Sequence, residues 1–152
     1  MRKLIYFLLI LFVAGGCGEA FADSSVSQAW ASVNKEVMVL TMAWTADANS
    51  GDVSATVSEA DIDGYIFQVV TNPGTTAPSD NYDITINDAS GVDIMGGELD
   101  NRDTANSEQV VPKIDAVYGT RMVDGAITVN FSGNSVNSAT GEVIIYYYKY
   151  GR

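Results

Sequence analysis

The sequence predicts an all-β protein: a single antiparallel β-sandwich, Ig-like or jelly-roll-like, of about seven to eight strands following an N-terminal signal helix. Three observations carry that expectation. Short runs with period-two alternation recur along most of the chain. Clusters of Gly, Pro, Asn, Asp and Ser separate those runs. No segment after residue 34 sustains the 3.6-residue periodicity of a long helix.

The first element is a leader. Arg2 and Lys3 precede an apolar run from Leu4 to Ala14, and small residues follow up to Ala20-Phe21-Ala22. Charge, apolar stretch and A-x-A site in that order describe a secretory signal peptide over residues 1–22. Eleven apolar residues reach only about 16 Å as a helix, against roughly 30 Å of hydrocarbon, so a signal is favoured over a span. A second processing site overlaps the first. Val13-Ala14-Gly15-Gly16-Cys17 fits a permissive bacterial lipobox, with the only cysteine of the chain at the lipidated place, although Ala14 stands where Leu is usual. Either route places the protein outside the cytoplasm, as a periplasmic, extracellular or lipid-anchored chain.

Residues 23–33 are small and polar and read as a spacer, which starts the folded domain at residue 34. In Glu36 to Thr45 both alternating faces are fairly apolar, as in a strand covered on each side or lying at a protein contact. Val53 to Val57 alternates cleanly, and Tyr65 to Thr71 is β-branched and aromatic. Asn72-Pro73-Gly74 stops that strand, because Pro donates no backbone hydrogen bond and Gly tolerates positive φ. Tyr82 to Asn87 is the clearest strand, with Tyr82, Ile84 and Ile86 expected on the buried face. Val92 to Met95, Gln109 to Lys113, Met122 to Val123, Ala126 to Phe131 and Glu142 to Tyr150 complete the set. Gly96 to Glu108 is polar and without period, and Asp103 is placed to cap a brief helix there.

Charge and composition exclude several kinds of function. The 152 residues carry a net charge of −11, and removing residues 1–22 takes away Arg2, Lys3 and Glu19 to leave −12. Such a surface repels nucleic-acid phosphates and anionic lipid, so neither is an expected partner; a membrane enters only through the leader or a lipid anchor. There is no histidine and one cysteine. That removes His-based triads, His- or Cys-ligated zinc and thiol catalysis in the mature chain, and no phosphate-cradling or dinucleotide motif appears. The expectation is a non-enzymatic protein without a cofactor.

The remaining candidates are for contact. Glu59-x-Asp61-x-Asp63-Gly64 matches the first half of a calcium loop, but Val70 occupies the place of the bidentate acid. Asp61 and Asp63 are therefore only weak calcium candidates, and Asp100, Asp103 and Glu108 are an equally loose set. Tyr146, Tyr148 and Tyr150 share one face of the last strand, where a tyrosine row could stack on sugars or on a protein. Trp44, and Asp100, Arg102 and Asp103 in the 96–108 loop, are the other expected contact residues.

One stretch resembles a known group. Val70-Thr71-Asn72-Pro73-Gly74, Ala77-Pro78, Asn81-Tyr82-Asp83-Ile84, Asp88, Gly91-Val92-Asp93, Asn101-Arg102-Asp103 and Glu108-Gln109-Val110-Val111-Pro112 resemble small uncharacterised β-rich proteins of phages and prophages. The similarity covers roughly residues 44 to 149. That resemblance implies a virion-associated structural role and carries over no catalytic residue. The leader departs from the group, whose members assemble in the cytoplasm. Together these readings favour an exported structural or interaction protein that binds a protein partner or itself. The alternative is an extracellular module for a carbohydrate or other surface ligand, with or without calcium.

Overall fold

The computed structural model describes residues 22–150. The expected signal helix and Cys17 lie outside the described residues. What is described contains strands, turns and loops, with no helix. Eleven strands follow one another: β1 (Ser25–Ser32), β2 (Val37–Thr45), β3 (Thr56–Val57), β4 (Gly64–Pro73), β5 (Asp83–Asn87), β6 (Glu108–Val110), β7 (Lys113–Ile114), β8 (Val117–Tyr118), β9 (Arg121–Val123), β10 (Thr128–Ser132) and β11 (Thr140–Lys149).

All pairings are antiparallel. The large sheet runs β1-β2-β11-β4, and β4 then pairs with both β6 and β9 along its other edge. The small sheet runs β3-β10-β5, and β7 and β8 form a separate hairpin. One face of each sheet feeds a common core. Leu40, Met42 and Trp44 from β2, Ile66 and Val69 from β4, and Val143, Ile145 and Tyr147 from β11 meet Ile84, Ile86 and Val129 from the small sheet. Tyr82, Ile84 and Ile86 are buried as the alternation around them predicts.

Residues 23–33 correct the sequence reading. Eight of them form β1, paired along its whole length with β2 from Ser25↔Thr45 to Ser32↔Met38. Its inward residues Val26 and Trp30 pack against the core. Gln28, between them, ties the strand to β3 of the small sheet and the chain just after it: its amide donates to the Val57 carbonyl at 2.8 Å and its oxygen accepts from the Glu59 amide at 2.9 Å. The first strand of the described residues therefore begins at residue 25, inside the stretch expected to be a spacer.

Three further expectations change. Val92 to Met95 forms no strand beyond an isolated Asn87↔Asp93 bridge; the Asp93 carboxylate accepts from the Met95 and Gly97 amides and bends the chain into a turn. The 96–108 loop is not a free surface loop, because Leu99 is fully buried and Arg102 nearly so. Asp103 caps a turn rather than a helix, accepting from the Ala105 and Asn106 amides.

Candidate functional site

Among the described residues, the outward face of the large sheet is half-buried to exposed, and it is the candidate site. Strand alternation places Val37, Val39, Thr41 and Ala43 of β2 on it, opposite the inward Leu40, Met42 and Trp44. Register then brings Tyr148 beside Val37, Tyr146 beside Val39 and Ile144 beside Thr41. On the other side of β11, Tyr148 faces Tyr65, Tyr146 faces Gln68 and Ile144 faces Val70. The β4–β11 register shifts between Tyr146 and Tyr147, which leaves Phe67 as the extra residue of a bulge. Its ring lies 4.6 Å from that of Tyr148 and 6.2 Å from that of Tyr146. Tyr150 continues the row, edge-on to Tyr65 at 5.2 Å.

The result is a ridge and a shelf. Aromatic rings stand on β11 and β4, whereas the outward residues of β1 are Ser25, Ser27, Ala29 and Ala31. Charge is nearly absent. Among the residues of β1, β2, β11 and β4 that alternate outward, the one Asp, Glu, Lys or Arg is Glu142, whose carboxylate accepts from the Asn72 side-chain amide at 3.2 Å; Lys149, of the opposite parity, is exposed at the end of β11. Around it, Ser27, Thr45, Asn72 and Thr140 line an open groove of about 500 Å³ at that end of the face.

A second apolar feature borders the ridge. Between β6 and β9 the chain leaves the sheet and returns as the β7–β8 hairpin, turning at Asp115 and Ala116, both at positive φ. Ile114, Val117, Tyr118 and Met122 are all exposed there, with Val117 at 69%. The hairpin is tied to Glu98 at its base. Lys113 donates to Glu98 at 2.9 Å, the Tyr118 hydroxyl donates to the other Glu98 oxygen at 3.1 Å, and the ammonium sits 5.3 Å from the Tyr118 ring centre. The Lys113 hydrogen bond and charge hold Glu98 below, and Lys113 above, their ordinary ranges.

The other expected contact residues fall elsewhere. Trp44 is a core residue, only 2% exposed, with its ring centre 5.9 Å from that of Tyr82 and 5.2 Å from that of Phe131. Arg102 is turned inward: its guanidinium donates to the Asp100 carbonyl at 2.9 Å and pairs with Glu108 at 3.4 Å. Asp103 is spent on its turn, and the Ala105 and Asn106 amides hold its carboxyl below the ordinary range. Of that trio, Asp100 alone is exposed. Asp61 and Asp63 flank the fully buried Ile62, and no group of three or more metal-ligating side chains occurs among the described residues.

The fold also buries a phenol without a partner. The Tyr82 hydroxyl makes no hydrogen bond, and burial pushes its pKa up to about 12, with Arg102 opposing and Glu108 adding to the rise. Unfolded chains lose that proton near pH 10 while the folded chain keeps it. The stability this contributes is whole below pH 10 and is lost as pH rises towards 12. Tyr82→Phe should therefore leave the neutral-pH melting temperature unchanged or higher, because an unsatisfied buried hydroxyl is removed. It should also remove the highest-pH step from an ultraviolet titration of the tyrosinates. A lower melting temperature would show that the hydroxyl is stabilising.

No protein family, curated protein or solved structure matches this chain. Its function has to be argued from the face itself.

Proposed function

We propose that this chain is a non-enzymatic structural or interaction protein, exported from the cytoplasm, whose contact surface is the outward face of the large sheet. We read the two sheets as the layers of a β-sandwich, since both feed one core. The observation that carries the functional reading is the uncharged aromatic ridge on a strongly acidic chain. Exposed apolar area disfavours an isolated protein in water, and contiguous patches of it mark interaction sites. Tyrosine and phenylalanine supply large contact area at little rotamer cost. The absence of histidine and the single cysteine support the non-enzymatic part, and the leader supports export. The phage resemblance supports descent from a virion-associated domain.

The test is oxidative footprinting of Phe67, Tyr146 and Tyr148, first in the producing cell and then on dilute purified chain. Protection in the cell that disappears on dilution is the expected result; equal oxidation in both settings would sink the reading.

The groove around Glu142 favours one alternative. Hydroxyl, amide and carboxylate groups beside an aromatic surface are the chemistry that recognises a carbohydrate. Under that reading a glycan array gives reproducible hits, and Tyr146→Ala removes them without altering the melting temperature. Under the interaction reading the array stays blank.

A further inference from the structure

The face is shaped and charged to meet a second copy of itself, which rests on the reading of that face as a contact surface. We propose that two chains pack face to face about a two-fold axis parallel to the strands, lying between β2 and β11. An isologous contact requires a self-complementary surface. The ridge and shelf supply one, because they lie on opposite sides of that axis. Rotation lays β11 of one copy on β2 of the other, and β4 on β1.

The register specifies the contacts. Ala31, Val39, Tyr146 and Gln68 occupy one row across the sheet, and Ala29, Thr41, Ile144 and Val70 another. A two-fold along the strands keeps each row level with itself. Tyr146 then lies over the partner's Val39, Phe67 near the partner's Ala31, and Val70 over the partner's Ala29. Small side chains on β1 are what allow the aromatic ridge to seat; large residues there would hold the sheets apart.

Charge selects the occupant. Two chains of net charge −11 repel one another over most of their surfaces. A contact between copies is tolerable only through a face stripped of carboxylates, and this face has a single one. The proposed axis also places Glu142 over the partner's Ala43, not over the partner's Glu142. Four strands about 4.8 Å apart and eight to ten residues long present roughly 600 Å² in plan. The exposed hairpin, carried past the partner's β1 edge, brings this close to the ~800 Å² per partner of a standard interface.

Sedimentation equilibrium of the full chain tests the proposal. The chain should sediment at twice its own mass. Ala31→Glu puts a carboxylate on the shelf at an exposed position, so the melting temperature of the isolated chain should not fall. It should weaken association roughly a hundredfold or more. Val57→Glu, exposed on the small sheet, should leave the dimer intact. A double variant, Ala29→Cys with Val70→Cys, should oxidise to a covalent dimer. A single-chain mass at every concentration, or an Ala31→Glu dimer as tight as the unaltered one, overturns the proposal. Protection of Tyr146 and Tyr148 in the cell, together with a monomeric purified chain, would assign the face to a different protein. Protection that persists in the dilute monomer would assign it to residues 1–21. Free oxidation of both tyrosines everywhere would remove the interaction reading as well.

Discussion

Replacing Trp44 with alanine should lower folding stability by about 3–5 kcal/mol, the range for emptying a large aromatic site in a core. On a domain of this size that is a fall of roughly 10–20 °C in melting temperature. The reason is where the indole lies. Trp44 points inward from β2 between Tyr82 and Phe131, and its ring fills the space over Gly141. A Cβ on Gly141 would come within 2.7 Å of the ring, so glycine there and tryptophan opposite form one packing unit. Thermal melting of Trp44→Ala and of the unaltered chain settles the matter. A contact residue would have left the melting temperature in place and weakened association only.

Gly64→Ala is the second large effect, about 3 kcal/mol by the usual cost of overpacking. A Cβ there would meet the Tyr148 carbonyl oxygen well inside van der Waals contact and press on the Tyr147 ring. The obstacle is backbone, so relief requires opening the β4–β11 ladder where Gly64 pairs with Lys149 and Tyr65 with Tyr148. Those same pairs set the ridge. Gly64→Ala should therefore both melt early and speed hydrogen exchange at the amides around Tyr65 and Tyr148. Gly119→Ala, with open space around it, should do neither. Comparable melting curves for the two variants would contradict this account of the ridge.

Much of this fold is legible in the sequence where alternation is strong. Tyr82, Ile84 and Ile86 show their buried side because Asp83 and Thr85 lie between them. The last strand shows its parity, but parity alone does not say which tyrosines face the core. The structure buries Ile145 and Tyr147 and leaves Tyr146 and Tyr148 outward. In β2 both faces are apolar, so the sequence leaves Trp44 open to either role; the larger side chains Leu40, Met42 and Trp44 fill the core. β1 is hidden because its outward residues are Ser and Ala, and because the polar Gln28 sits among its inward ones. Val26, Gln28 and Trp30 at every second position were the available signal. The 113–118 hairpin has strands too short to show a period, and its turn uses Asp115 and Ala116 without a glycine to announce it. The 96–108 loop buries Leu99 and Arg102 through irregular backbone, which no periodic pattern marks.

The most direct measurement is photo-crosslinking from the ridge. A photoreactive phenylalanine at Phe67 replaces one aromatic ring by another and keeps the bulge filled, while the same group at Val92 reports an exposed turn away from the face. The account predicts a discrete adduct from Phe67 in the producing cell, of twice the chain's mass and joined to the peptide containing Ala31, and none from Val92. No adduct from Phe67, or the same yield from Val92, would contradict the claim that the outward face of the large sheet is where this protein makes its contact.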